Sequence, residues 1–403
     1  VGIQKATNLL EMCNSHEYAT MMLEANPEAY RSIFEKSVAE FGGNMENLQF
    51  NADTNWYDEL LRTAMMTNHS LNISGGTEKA TYSAGMSYLA QDGIMDVENY
   101  YRRLNFRAAL DYEARKWLKV GFNGVFSNSQ QQLPKNAAWQ QAYNTPSIIP
   151  VYDDRRDDAV FPKKYTSPEQ VGLTNNFNNP VATANYYDNR NETYQVLTNF
   201  YAQLNLIPDK LNIRSSYSYD YSMIRGSEFT PTYYVGTNQK KEVTELTKKN
   251  TNYYKYIWDN VATYTDKWGK HSFTGMLGAS MRQEQYRLLE GTATNVPEGE
   301  DVWKYIALGN KEGATVKDDG WKYRGLSYFT RLNYNYNDKY MLMFTFRADG
   351  SSKYNDKWGY FPSIGAAWVI SQEPFMKNQN IFDYMKLRAS WGKLGNDKIA
   401  ASA

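Results

Sequence analysis

From about residue 67 onward the chain alternates apolar and polar side chains with a period of two, in segment after segment. In YMLMFTFRAD, residues 340–349, one face carries Tyr340, Leu342, Phe344 and Phe346; the other carries Met341, Met343, Thr345, Arg347 and Asp349. The same design recurs with Leu104, Phe106, Ala108, Leu110 and Tyr112 against Arg103, Asn105, Arg107 and Asp111. It recurs again with Leu326, Tyr328, Leu332 and Tyr334 against Ser327, Arg331 and Asn333. About twelve such strands are expected, each longer than the 5–6 residues common in soluble sheets. Residues 1–66 break the pattern. Asn14–Phe41 has helix-forming composition at loose 3.6-residue spacing, Gly42 and Gly43 stop it, and TNWYDELLRTA predicts a further short helix. The chain therefore divides into 1–66, holding a first-strand tail and a short helical and loop segment, and 67–403, holding strands joined by loops.

The connections alternate short and long. Short ones, such as SGGTEKA, IPDKLN, DKWGKH and YNDKY, place Gly, Pro, Asn or Asp where a tight hairpin needs them. Long ones are expected at 92–99, 130–191, 225–250, 289–321 and 351–357, with 371–384 a long exception on the short side. In an up-and-down barrel alternate connections emerge at opposite rims. Sorting by length is the pattern of outer-membrane barrels, with short periplasmic turns and long external loops. A mean hydropathy of −0.69 excludes a helical membrane protein but not strands that are half polar by design. A soluble β-sandwich or propeller would also alternate, with shorter strands and connections not sorted by side. On the barrel reading the apolar face meets lipid, the polar face lines a wet lumen, and Tyr and Trp near strand ends form interfacial belts.

With 44 basic and 44 acidic side chains the chain has no basic excess to suit a nucleic-acid partner. Cys13 is the single cysteine, so no intrachain disulfide framework or cysteine-based zinc cluster forms. His16, His69 and His271 are far apart in sequence, HEYAT lacks the second histidine of a zinc helix, and no nucleophile elbow or phosphate-cradling loop is present. No catalytic residue, cofactor or resident metal is expected.

Two stretches of the long loop 130–191 are candidates for recognition. WQQAYNTPSIIPVYD supplies Trp139, Tyr143 and Tyr152 beside Asn and Gln; ring faces stack on sugar C–H surfaces while amides bond hydroxyls. The alternative is that these rings pack the loop on itself or against a lid protein. YDDRRDDAVF groups Asp153, Asp154, Asp157 and Asp158 around Arg155 and Arg156. It offers oxygen ligands to Ca²⁺, but the spacing follows no known calcium loop, and a solvated, self-neutralised loop is the expectation.

DTNWYDELLRTA, NHSLNISGGTEKATYSAGMSYLAQDGIM, FRADGSSKY, WGYFPSIGAAWVISQEPFM and MKLRASWGKLGN, in this order, resemble the SusC/RagA family of TonB-dependent outer-membrane transporters. The resemblance runs over nearly the whole chain and is densest at 53–112 and 322–396. It implies about half of a barrel of 22 strands, in the outer membrane of a Gram-negative cell. The plug that contacts the TonB complex would lie before Val1, and the closing strands after Ala403. It further implies import of oligosaccharides, or peptides, with a SusD-like surface lipoprotein as lid. A passive porin-like or structural barrel without a plug, and a soluble all-β glycan-binding protein or hydrolase, are the rival readings.

Overall fold

A computed structural model describes residues 1–156, 164–174, 177–301, 304–376 and 381–396. In chain order the elements are β1 (Gly2–Gln4), α1 (Ser15–Ala25), α2 (Pro27–Phe41), the ribbon β2 (Gly43–Asn44) and β3 (Gln49–Phe50), and α3 (Trp56–Leu60). Then come β4 (Ala64–Gly76), β5 (Ala80–Asp92), β6 (Tyr100–Arg115), β7 (Leu118–Gln132), α4 (Asn136–Asn144) and α5 (Pro180–Asn185). β8 (Asp188–Ile207) and β9 (Leu211–Thr230) precede a small hairpin of β10 (Tyr233–Gly236) and β11 (Gln239–Lys241). The chain continues through β12 (Glu245–Trp268), β13 (His271–Thr294), β14 (Thr315–Tyr336), β15 (Tyr340–Ser351), β16 (Trp358–Val369) and β17 (Lys386–Gly392).

All but the two small ribbons join one 13-stranded sheet in the order β1-β4-β5-β6-β7-β8-β9-β12-β13-β14-β15-β16-β17. Every pairing is antiparallel. This is an up-and-down partial β-barrel. The short turns are made as their residues dictate: between β14 and β15, Asn337 and Asp338 both take left-handed φ, 53° and 54°. A two-residue turn whose twist matches its flanking strands requires that conformation.

The register aligns apolar positions across the sheet. Leu110, Phe122, Phe200, Tyr217, Trp258, Met281 and Leu326 are successive cross-strand partners on one face. That face is exposed although apolar: Leu71 is 64% accessible, Phe200 51%, Leu277 66% and Ile364 53%. A continuous greasy surface of this extent marks contact with another apolar phase, here lipid. No helix among the described residues is long and apolar enough to span a membrane.

Several strands are longer than the alternation suggests. β12 and β13 each run 24 residues and β14 runs 22, against about 10 needed to cross the bilayer. Residues 130–132, 188–191, 225–230, 245–250, 289–294 and 315–321, expected as loop, are strand. Beyond the lipid both faces meet water, so alternation fades while backbone pairing continues.

The fully buried side chains are mostly not in the sheet. Phe34, Leu60, Ile148, Ile149 and Val171 belong to a core that joins α1–α3 to the connection between β7 and β8. On the opposite rim, Glu373 anchors the 370–376 segment. Its carboxylate accepts from Tyr340 Oη at 2.5 Å, Trp368 Nε1 at 3.0 Å and Lys339 Nζ at 3.3 Å, which together hold its pKa below the usual range.

Candidate substrate-facing surface

The sheet's other face carries a hydrogen-bonded network. Arg103 Nε donates to Asn105 at 2.7 Å and Ser127 at 3.0 Å; Arg107 donates to Asn72 at 2.7 Å. Arg347 donates to Asp349 at 2.7 Å and Ser327 at 3.0 Å. Lys255–Glu284 and Lys249–Glu290 pair across β12 and β13 at 3.4 and 3.1 Å. Alternation places these side chains together because partners in register point to the same face. The result is a polar wall whose cations are held either by carboxylates, as at Lys249, Lys255 and Arg347, or by neutral amides and hydroxyls, as at Arg103 and Arg107.

Over the rim with long connections sits the folded helical unit. Its halves are stitched together by hydrogen bonds between segments remote in sequence. Ser37 Oγ donates to the Ile148 carbonyl at 2.6 Å, Thr54 Oγ1 to Ile149 at 2.6 Å, and Trp56 Nε1 to Pro146 at 3.0 Å. α1 begins with a capping box in which Asn14 and Glu17 satisfy each other's backbone N–H, and Pro27 opens α2.

The three aromatic candidates fall in this unit with different surroundings. Trp139, on α4, is half-buried with its ring 5.7 Å from Tyr57. Tyr143, one turn on, is 51% exposed, as is Tyr152. Tyr152 starts a column that the sequence did not reveal: it stacks on Tyr165 at 5.2 Å, Tyr165 meets Tyr186 edge-on at 5.7 Å, and Tyr186 stacks on Tyr233 at 4.5 Å. Tyr165 is buried, and desolvation pushes its phenol well above the ordinary range. The column joins residues from three separate segments, so neither spacing nor composition signals it. Tyr152 presents the outer end.

The acidic stretch departs in part from the solvated, self-neutralised loop expected of it: Asp154 and Arg155 are exposed, but Asp153 is not. Asp153 is buried, accepting from Arg155 Nε at 2.9 Å and Gln170 Nε2 at 2.8 Å, while Arg155 also reaches Glu40 on α2 at 3.0 Å. The Arg155 contact, aided by Gln170 and opposed by burial, lowers the Asp153 pKa from 3.8 to about 2. Its carboxylate is a clasp between loop and helix. Asp157 and Asp158 lie outside the described residues, and among the described residues no group of three or more His, Cys, Asp or Glu is placed to hold a metal ion.

Because the folded-state pKa is depressed, the clasp contributes stability at pH values above 3.8, lost as pH falls through about 2. In the full-length protein, pepsin cleavage within 148–172 is expected to rise steeply over that interval. Asp153→Asn should cleave readily already at pH 5 and show a flatter dependence. An unchanged Asp153→Asn profile would remove the clasp.

Comparisons with known proteins follow the same lines. A TonB-dependent receptor of Formosa agariphila is 30% identical over 357 residues, covering 86% of this chain and 34% of the receptor. The TonB-dependent receptor SusC of Bacteroides thetaiotaomicron is 27% identical over 380 residues, covering 86% of this chain and 35% of SusC. The chain thus spans about a third of the length of the curated relatives it matches. Among solved structures, the RagAB peptide transporter superposes with a TM-score of 0.80 at 19% identity, covering 99% of this chain and 47% of that one. The 'open-open' RagAB importer gives 0.81 at 20% identity, covering 99% and 46%. At such identity the structures speak to the fold alone. No protein-family model matches the chain.

Proposed function

The chain is a barrel segment of a SusC/RagA-type TonB-dependent receptor, and from that premise we propose that it forms part of the wall and external roof of an importer that takes up oligosaccharides. It resides in the outer membrane of a Gram-negative cell and is not an enzyme. The observation that carries the proposal is the pairing of an extensively hydrogen-bonded polar inner wall with a folded aromatic unit over the long-loop rim. A neutral, hydroxyl-rich solute exchanges hydrogen bonds with such a wall without a net charge to strip of water. Tyr143 and Tyr152 offer ring faces at the entrance, whereas Trp139 positions α4 against α3 through Tyr57. In the full-length protein a plug coupled to the TonB complex supplies the energy, and a SusD-like surface lipoprotein closes over the roof.

The test is uptake of labelled oligosaccharides and labelled peptides by cells carrying the full-length protein, with and without TonB. Saturable oligosaccharide uptake that disappears without TonB is expected. Uptake that persists without TonB would make the barrel a passive pore, and uptake of peptides alone would replace the substrate class. Tyr143→Ala with Tyr152→Ala should raise the half-saturating oligosaccharide concentration about three- to ten-fold, the loss of roughly one stacking contact's worth of energy. An unchanged value would exclude both rings from the entrance.

A further inference from the structure

On the inner face Lys249, Lys255 and Arg347 each have a carboxylate partner. On the outer face Arg190 likewise pairs with Asp188, but Arg225, Lys248, Arg287 and Lys322, beside and beyond a set of tyrosines, do not. β9 shows Tyr217, Tyr219 and Tyr221 outward and then Arg225. β12 shows Tyr256 and Tyr254, then Asn252, Asn250 and Lys248. Tyr217 stacks on Tyr256 at 5.9 Å and Tyr221 meets Tyr254 at a tilt at 4.9 Å, forming an interfacial belt at the long-loop end of the barrel. β13 and β14 add Arg287 and Lys322 to the same outer face, where Lys322 is the partner of Gln285.

Register brings the four cations together. Arg225 pairs with Asn250, and Asn250 with Leu289. Lys248 lies two residues beyond Asn250, and Arg287 two residues before Leu289. All four fall within about 20 Å along the strands, from six residues' rise. Among the described residues none of them lies within salt-bridge distance of a carboxylate: Lys248 stands over the Tyr305 ring at 5.2 Å and Arg225 beside the Tyr194 ring at 5.9 Å. Glu192, opposite Arg225, accepts instead from Tyr194 Oη at 2.6 Å. Asp318 shares the outer face, unpaired and exposed. The surface is concave: two adjoining grooves of 720 and 610 Å³ share Asn250 and Leu289, the first holding Arg225 and Lys248 and the second Arg287 and Lys322. Leu289 and Val316, 55% and 77% exposed, add apolar contact between the charges.

We propose that these grooves bind the phosphate groups of a phosphorylated glycolipid of the outer leaflet, seated directly above the tyrosine belt. Unpaired Arg and Lys at headgroup height supply charge-assisted hydrogen bonds to phosphate. Asn250 and Asn252 reach sugar hydroxyls, and Leu289 and Val316 receive the apolar side of the sugar. Glu192 and Asp318 line the grooves as well, but neither lies within salt-bridge distance of the four cations among the described residues, so the cations' N–H donors remain open to phosphate. The inference rests on the outer-membrane placement of the barrel, not on its substrate.

The probe is lipid A with its phosphates intact, compared with the same lipid after phosphatase treatment, added to delipidated full-length protein. Wild type should bind the phosphorylated form at least ten-fold more tightly, and the preference should shrink at high salt. The variant R225Q/K248Q/R287Q/K322Q should lose the preference, while K255Q, on the inner wall, should keep it. Equal binding of the two lipids by wild type would overturn the proposal, as would an undiminished preference in the four-site variant. If that variant does not assemble, the wild-type comparison decides alone. Failure of oligosaccharide uptake with lipid preference intact would count against the transport reading only.

Discussion

Full-length protein carrying Phe344→Lys is expected to assemble poorly, whereas Thr345→Lys, one residue away, should assemble normally. Phe344 lies near the middle of β15 on the outer face, between its register partners Leu332 on β14 and Ile364 on β16. It is 39% exposed and those neighbours are 39% and 53% exposed, so no protein packs over this patch. A lysine at the bilayer midplane of a barrel costs about 2–4 kcal/mol, enough to shift an assembly equilibrium by roughly thirty- to a thousand-fold. Thr345 points the other way and bonds Ser363 Oγ at 2.5 Å, where a lysine meets water. The heat-modifiable gel mobility of folded barrels in extracted membranes provides the measurement. Normal assembly of Phe344→Lys would show that the two faces have been assigned the wrong way round.

The second large effect concerns the roof. Phe34→Ala is expected to cost about 3–5 kcal/mol, typical of truncating a buried phenylalanine, and to release the unit over the rim while leaving the sheet intact. Phe34 is fully buried, with its ring 6.0 Å from Tyr18, 6.2 Å from Tyr30 and 5.8 Å from Phe50. It therefore links α1, α2 and the β2–β3 ribbon at one point. The strands do not depend on it, because their pairing is continuous from β4 to β17. Limited proteolysis of the assembled variant should cut within 15–60 and 136–186 at enzyme concentrations that leave wild type whole. Protection equal to wild type would place the unit's stability elsewhere.

The barrel strands were legible because their signal is local. Each residue's solvent, lipid or water, is set by strand parity, and parity is written in consecutive residues. Tight turns were legible for a similar reason: Asn337 and Asp338 adopt φ values that few other residues accept. The strand ends were not. Near Arg225, Lys248 and Leu289 both faces are wet, and selection for alternation lapses. Within the loop of 130–191 the pairing of Asp153 with Arg155 accords with a self-neutralised stretch, but Asp153 is buried against Arg155 and Gln170 rather than solvated. Gln170 is brought to Asp153 by the fold of the whole unit, which no spacing announces.

By itself, then, the sequence determined which face of each strand is apolar, where the chain reverses, and which rim receives the long connections, because those features depend on residues a few positions apart. Only the tertiary structure decided that Ser37 meets Ile148 across 111 residues, that four tyrosines from separate segments form one column, and that Arg225, Lys248, Arg287 and Lys322 share a surface without carboxylate partners. Such groupings follow from strand register and from the closing of one core over two distant segments. Both are set by the summed burial and pairing of many residues rather than by any short run of them.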